Sequence, residues 1–192
     1  MPDSNLLLLE EAAVRLGPLL DEVVFVGGAT LSLLITDPGA APARATIDVD
    51  VIARIATYGE YNDFSERLRV RGFVEDTREN APVCRWIHGG LTLDAMPVEE
   101  ILGFSNRWYR SAFDAARQVV LPSGSRIRAI TAPYFLGSKV EAFRSRANGT
   151  SMPVTIWKIL SPSSMVANRS ARRSLPRPPV CATTWPMRQA NC

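Results

Sequence analysis

Histidine is almost absent: His88 is the only one in 192 residues. A multi-His metal site is therefore excluded and a His-based triad has only His88 to draw on, which, next to "GG", reads as an ordinary turn residue. Cysteine is scarce too. Cys84, Cys181 and Cys192 have no metal-like spacing, so neither a disulfide framework nor a zinc site is suggested. Long apolar runs are missing. The start, "MPDSNLLLLEEAAVRLGPLL", has an apolar run of only four residues before two glutamates, unlike a secretory leader. No run approaches the roughly eighteen apolar residues of a spanning helix. A cytoplasmic protein with no membrane partner is the expectation.

Negative charge is missing from one end. The last acidic residue is Glu141, and residues 150–192 hold six of the 22 basic residues, none of the 19 acidic ones and six of the 14 prolines. The formal charge of +3 thus hides a mildly acidic body that advertises no polyanion-binding face. The chain divides into a domain over 1–149 and an atypical basic Pro/Ser/Arg-rich tail over 150–192. With 46% hydrophobic residues, the chain can bury a real core.

What is present reads as alternating helix and strand. Residues 4–20 form an amphipathic helix ending near Gly17-Pro18, and "EVVFV" is a short buried strand. "GGATLSLLI" is a glycine turn followed by a helix, "DPGAAP" a loop, and "ATIDVDVIARI" the next strand. Residues 60–72 are a helix stopped by Gly72. "VCRWIHGGLTLDAMPV" is a hairpin turning at 88–90. Residues 98–104 are a short helix, and "RQVVLPSGSRIRAI" is a second hairpin. "TAPYFLGSKVEAFRSRA" is a helix capped by Thr131 with Pro133 in its first turn. The pattern predicts an α/β (α+β) fold, a mixed sheet flanked by helices.

The chemistry concentrates in "ARATIDVDVIARI". Side chains alternate along a strand, so Thr46, Asp48 and Asp50 share one face, while Ile47, Val49 and Val51 share the other and can pack on a helix. Two carboxylates about 4 Å apart repel by about 4 kcal/mol at an effective dielectric near 20. A divalent cation between them removes that cost, and magnesium favours a few carboxylates plus phosphates. An edge strand with one wet face is the plain alternative. "VVFVGGATLSLLI" adds a glycine turn whose backbone can approach a phosphate at a helix start. "GGLTLDAMPV" adds Asp94, on one face with Thr92 and Met96, opposite Leu91, Leu93 and Ala95. Carboxylates on two strands beside a glycine loop suit two-metal phosphoryl or nucleotidyl transfer.

"VGGATLSLL" followed by "RATIDVDVI" resembles the nucleotidyltransferases of the AbiEii/AbiGii toxin family, in the polymerase-β-like superfamily. "TAPYFLGSKVEAFRSRANG" resembles that family's lysine-bearing helix. The resemblance covers about residues 20–149. It implies the nucleotidyltransferase fold, with Mg2+ (or Mn2+) held by Asp48, Asp50 and Asp94. Asp94 would also help deprotonate the acceptor hydroxyl. Gly27 and Gly28 would hold the triphosphate and Lys139 would offset its charge. Arg44 and Thr46 precede the acidic pair as in relatives. The implied partners are a nucleoside triphosphate, an acceptor hydroxyl on RNA (a tRNA end included) or on protein, and an antitoxin. Lys139 is the only lysine in the first 149 residues, against the alternative of a solvated helix lysine.

The tail departs from the family, which continues with a segment like S-H-D-L-E-D, a valine-rich helix and D-G-R. Shifting the frame of "TSMPVTIWKILSPSSMVANRS" by one base forces alanine at Met152-Pro153 and glutamate at Trp157-Lys158. The remaining junctions permit F-Y-A-S-H-D-L-E-D-I-V-T-V-I-D-G-R. A one-base deletion near codon 149 would account for this. A basic nucleic-acid-binding arm, "NRSARRSLPRPP", is the competing reading. Either way little packed structure is expected there. Two functions stay open: a working transferase, or an impaired remnant that keeps the fold and binds only nucleotide or a partner. The nucleotide sequence around codon 149 separates them.

Overall fold

The computed structural model describes residues 3–37, 39–104 and 106–146. The expectations for the tail, including its frame, lie outside the described residues. Helix α1 (Ser4–Leu16) starts where the Asp3 carboxylate accepts from the backbone N–H groups of Asn5 and Leu6. It stops at Gly17, whose φ of +54° a side chain rarely tolerates. A 3-10 turn over Gly17–Glu22 leads into β1 (Val23–Val26), buried at all four positions. A turn at 27–30 precedes the single-turn helix α2 (Leu31–Leu34). Then follow β2 (Asp48–Ala53), α3 (Tyr58–Val70), β3 (Val74–Glu75), β4 (Arg85–His88) and β5 (Leu91–Pro97). The order closes with α4 (Tyr109–Asp114), β6 (Arg117–Val120), β7 (Arg126–Ala129) and α5 (Ala132–Arg146). Helix α3 carries a capping box, with Thr57 and Glu60 each satisfying the other's backbone N–H.

The seven strands form one mixed sheet in the order β3-β4-β5-β2-β1-β7-β6, the predicted class. β2 is antiparallel to β1 and parallel to β5, and β7 is parallel to β1. One face packs on α1 and α3: Phe25, Val49, Val51, Leu93 and Trp86 meet Leu9, Leu16, Phe64 and Leu68. The other face packs on α4 and α5 through Val24, Val26, Ile52, Phe113 and Phe135. Burying a side chain such as Phe25 or Phe64 contributes about 1.5–3 kcal/mol. Among the described residues no helix is long and apolar enough to cross a membrane.

Four local expectations are corrected. The strand begins at Asp48, not at Ala45, and Ile47 points outward at 86% exposure instead of packing beside Val49. The helix after the glycine turn has one turn only, so it offers phosphate no developed helix terminus. Residues 98–104 are bends rather than a helix, and the short helix comes later, as α4. His88 is the last residue of β4, its ring edge-on to Phe73 at 5.2 Å, and the turn is Gly89-Gly90 alone.

Candidate functional site

The parallel register of β2 and β5 sets Asp50 beside Asp94, and Asp48 beside Thr92. Neighbouring strands lie about 4.8 Å apart, so three carboxylates share one patch of the face that α5 covers. Asp94 is 7% exposed. In the antiparallel β4–β5 pair Arg85 stands opposite Asp94. Its guanidinium forks onto both carboxylate oxygens, Nε to Oδ1 at 2.7 Å and Nη2 to Oδ2 at 2.7 Å. The same Nη2 is 3.5 Å from Asp48 Oδ2.

Two glycine-turn residues frame Asp50. Gly27 has φ +70°, and a Cβ there would lie 1.7 Å from Asp50 Oδ2, so only glycine fits while Asp50 keeps its place. The Gly28 backbone N–H donates to Asp50. Burial pushes the Asp50 carboxyl up from 3.8 to about 6. Lys139's charge opposes this, the charges of Asp48 and Asp94 add to it, and the Gly28 bond opposes it again.

Thr46 lies just before the strand yet reaches its first residue, the hydroxyl donating to Asp48 Oδ1 at 2.6 Å. Thr46 is itself held by Asn5, a fully buried residue of α1 that the sequence reading passed over. Asn5 Oδ1 accepts from the Thr46 N–H at 3.1 Å, and its Nδ2 donates to the Arg44 carbonyl and to Ser32 Oγ, both at 3.2 Å. An asparagine inside the apolar stripe of a helix was the available signal. Arg44 thus contributes its backbone carbonyl, and its side chain is exposed.

Lys139 comes from α5, half-buried, its Nζ 5.7 Å from the Phe135 ring centroid. Buried Asn106 fixes that helix by donating to the Ser138 carbonyl at 3.1 Å while accepting from the Trp108 N–H. Gly137 leaves room for the Trp108 indole, which a Cβ would approach to 2.9 Å.

Hard carboxylate oxygens suit a magnesium-like ion. Asp50 fits that role as it stands, and Asp48 fits it with Arg85 Nη2 3.5 Å from its Oδ2. Asp94 fits it only with the Arg85 fork displaced. Among the described residues no group of three His, Cys, Asp or Glu side chains is already gathered to hold a metal.

No protein-family model matches the chain, and no curated protein matches it. Among solved structures it is similar to an antigenic nucleotidyltransferase-like protein from Paracoccidioides brasiliensis, with a TM-score of 0.55 and 16% identity. The match covers 82% of this chain and 73% of that one. At that identity the likeness is one of fold: the chain has a nucleotidyltransferase-like fold.

Proposed function

We propose that the protein is a divalent-metal-dependent nucleotidyltransferase that moves a nucleoside monophosphate from a nucleoside triphosphate to a hydroxyl. One observation carries the reading: Asp48, Asp50 and Asp94 share one face of adjoining strands, against a glycine turn and under a lysine-bearing helix. The fold likeness supports it. When bound, Mg2+ or Mn2+ would neutralise phosphate charge and lower the pKa of the attacking hydroxyl. Asp48 and Asp50 would hold the ion, with Asp94 once it is free of Arg85. Thr46 holds one Asp48 oxygen through its 2.6 Å bond. Gly27 and Gly28, whose backbone already packs on Asp50 and Thr46, would hold the triphosphate beside those residues. Lys139 would balance charge on the α5 side. The acceptor, RNA or protein, and a toxin role checked by an antitoxin extend the same proposal.

A second reading, a remnant that only binds, draws support from the commitment of both Asp94 oxygens to Arg85. The test incubates the protein with each radiolabelled nucleoside triphosphate, Mg2+, total tRNA and a cell protein extract. Label transferred to one acceptor class, and lost in Asp48→Asn, supports the transferase. A magnesium- and Asp48-dependent rise in melting temperature without transfer supports the remnant. Neither effect at millimolar nucleotide refutes both.

A further inference from the structure

The Arg85–Asp94 pair is built into the sheet. Register sets the two residues opposite each other in a two-residue hairpin, and the Arg85 side chain is only 24% exposed. Bidentate, charge-assisted bonds of this kind are shorter and about twice as strong as neutral ones. One nitrogen, Nη2, stands between two carboxylates of the acidic face, 2.7 Å from Asp94 and 3.5 Å from Asp48. That is where a cation shared by those carboxylates would lie. A guanidinium keeps its proton at any working pH, so this charge leaves the spot only if the side chain moves.

We propose that Arg85 is a resident cation of the acidic face, seated between Asp48 and Asp94 where a divalent ion would otherwise bridge them. The proposal rests on the metal-dependent reading above and deepens it. Arg85 is here a positioning residue. It keeps Asp94 in place while no ion is bound, and Asp94 would be able to hold an ion beside Asp48 and Asp50 only with the fork displaced. Its charge also makes the bare protein a weak metal binder, because an arriving dication meets a fixed positive group on the same two carboxylates.

The test is direct Mn2+ binding to the full chain without nucleotide, with free Mn2+ counted by its paramagnetic resonance. Arg85→Gln should bind Mn2+ at least about tenfold more tightly than the parent, about 1.4 kcal/mol. Adding Asp94→Asn to Arg85→Gln should abolish the gain. Arg85→Lys, whose point charge cannot cap both oxygens, should give a smaller gain, and it decides the matter if circular dichroism shows Arg85→Gln unfolded. Equal or weaker binding in the folded Arg85 variants, with parent binding still lost in Asp48→Asn, overturns the role of Arg85 and leaves the metal site standing. No Mn2+ bound by any chain, with or without a nucleoside triphosphate, overturns both.

Discussion

Replacing Asp50 by asparagine should stabilise the metal-free protein at neutral pH, by an amount set by the environment of one carboxyl. In the folded state that carboxyl is pushed up to about 6, mainly by burial, whereas in the unfolded chain it titrates near 3.8. Between those values the folded protein holds a proton the unfolded chain has lost, so stability falls as pH rises through that window and is lowest above it. About two pH units correspond to about 3 kcal/mol at pH 7, shrinking to about 0.5 kcal/mol at pH 4. Asparagine is a permanently neutral isostere that can still accept from the Gly28 N–H. Allowing for an imperfect fit of its amide, a gain of about 1–3 kcal/mol at pH 7 is expected, a rise of roughly 2–10 °C in Tm for a chain of this size. Urea unfolding of both proteins in EDTA, followed by tryptophan fluorescence at pH 4, 5.5 and 7.5, measures it. A destabilised variant at pH 7.5, or a gap that does not narrow toward pH 4, would refute the reasoning.

Gly27→Ala should cost about 2 kcal/mol or more through positive φ and its clash with Asp50, and a smaller cost of Gly27→Ala in an Asp50→Gly background than in the parent, each measured against its own background by thermal melting, would show that the clash is the cause. Asn5→Ala should cost about 1–3 kcal/mol by stranding the Thr46 N–H and the Arg44 carbonyl, and Asn5→Asp should cost more in the same urea assay, since it buries a carboxylate against that carbonyl. The Cys84 thiol, buried and pushed up to about 12 by desolvation and then by the charge of Asp94, should stay unmodified by iodoacetamide at pH 8 until urea unfolds the protein, as read by peptide mass spectrometry.

Periodicity made the broad architecture legible. Alternating apolar residues marked β2 and β5 and assigned Asp48, Asp50 and Asp94 to the faces they occupy. Proximity across strands came from the family resemblance and not from periodicity, because it depends on the parallel β2–β5 register, and no local pattern fixes the pairing of strands joined by a long crossover. Arg85 was within reach. A two-residue Gly89-Gly90 turn sets His88 against Leu91, and counting back sets Arg85 against Asp94. Ile47 misled because alternation was extended past the true strand start, where Asn5 rather than a neighbouring strand holds the Thr46 backbone. Asn106, Trp108 and Gly137 gave no signal, since they act by fitting α5 to a distant loop. The tail lies outside the described residues, so neither of its readings was decided by the fold.

The lysine nearest in charge to Asp50 is carried on α5, the last element of the described chain, long after β2 and β5 in sequence. Synthesis runs from the N-terminus, so the growing polypeptide can pair its acidic strands before the helix that helps balance their charge has left the ribosome. Until α5 docks by the clip of Asn106 on Ser138, Asp50 lacks that cation and the three-carboxylate patch has only Arg85 among the cations placed against it. Charge balance in the acidic patch is thereby tied to completion of the domain, and a ribosome-bound fragment ending before Lys139 would present the three carboxylates without the lysine proposed to face a triphosphate.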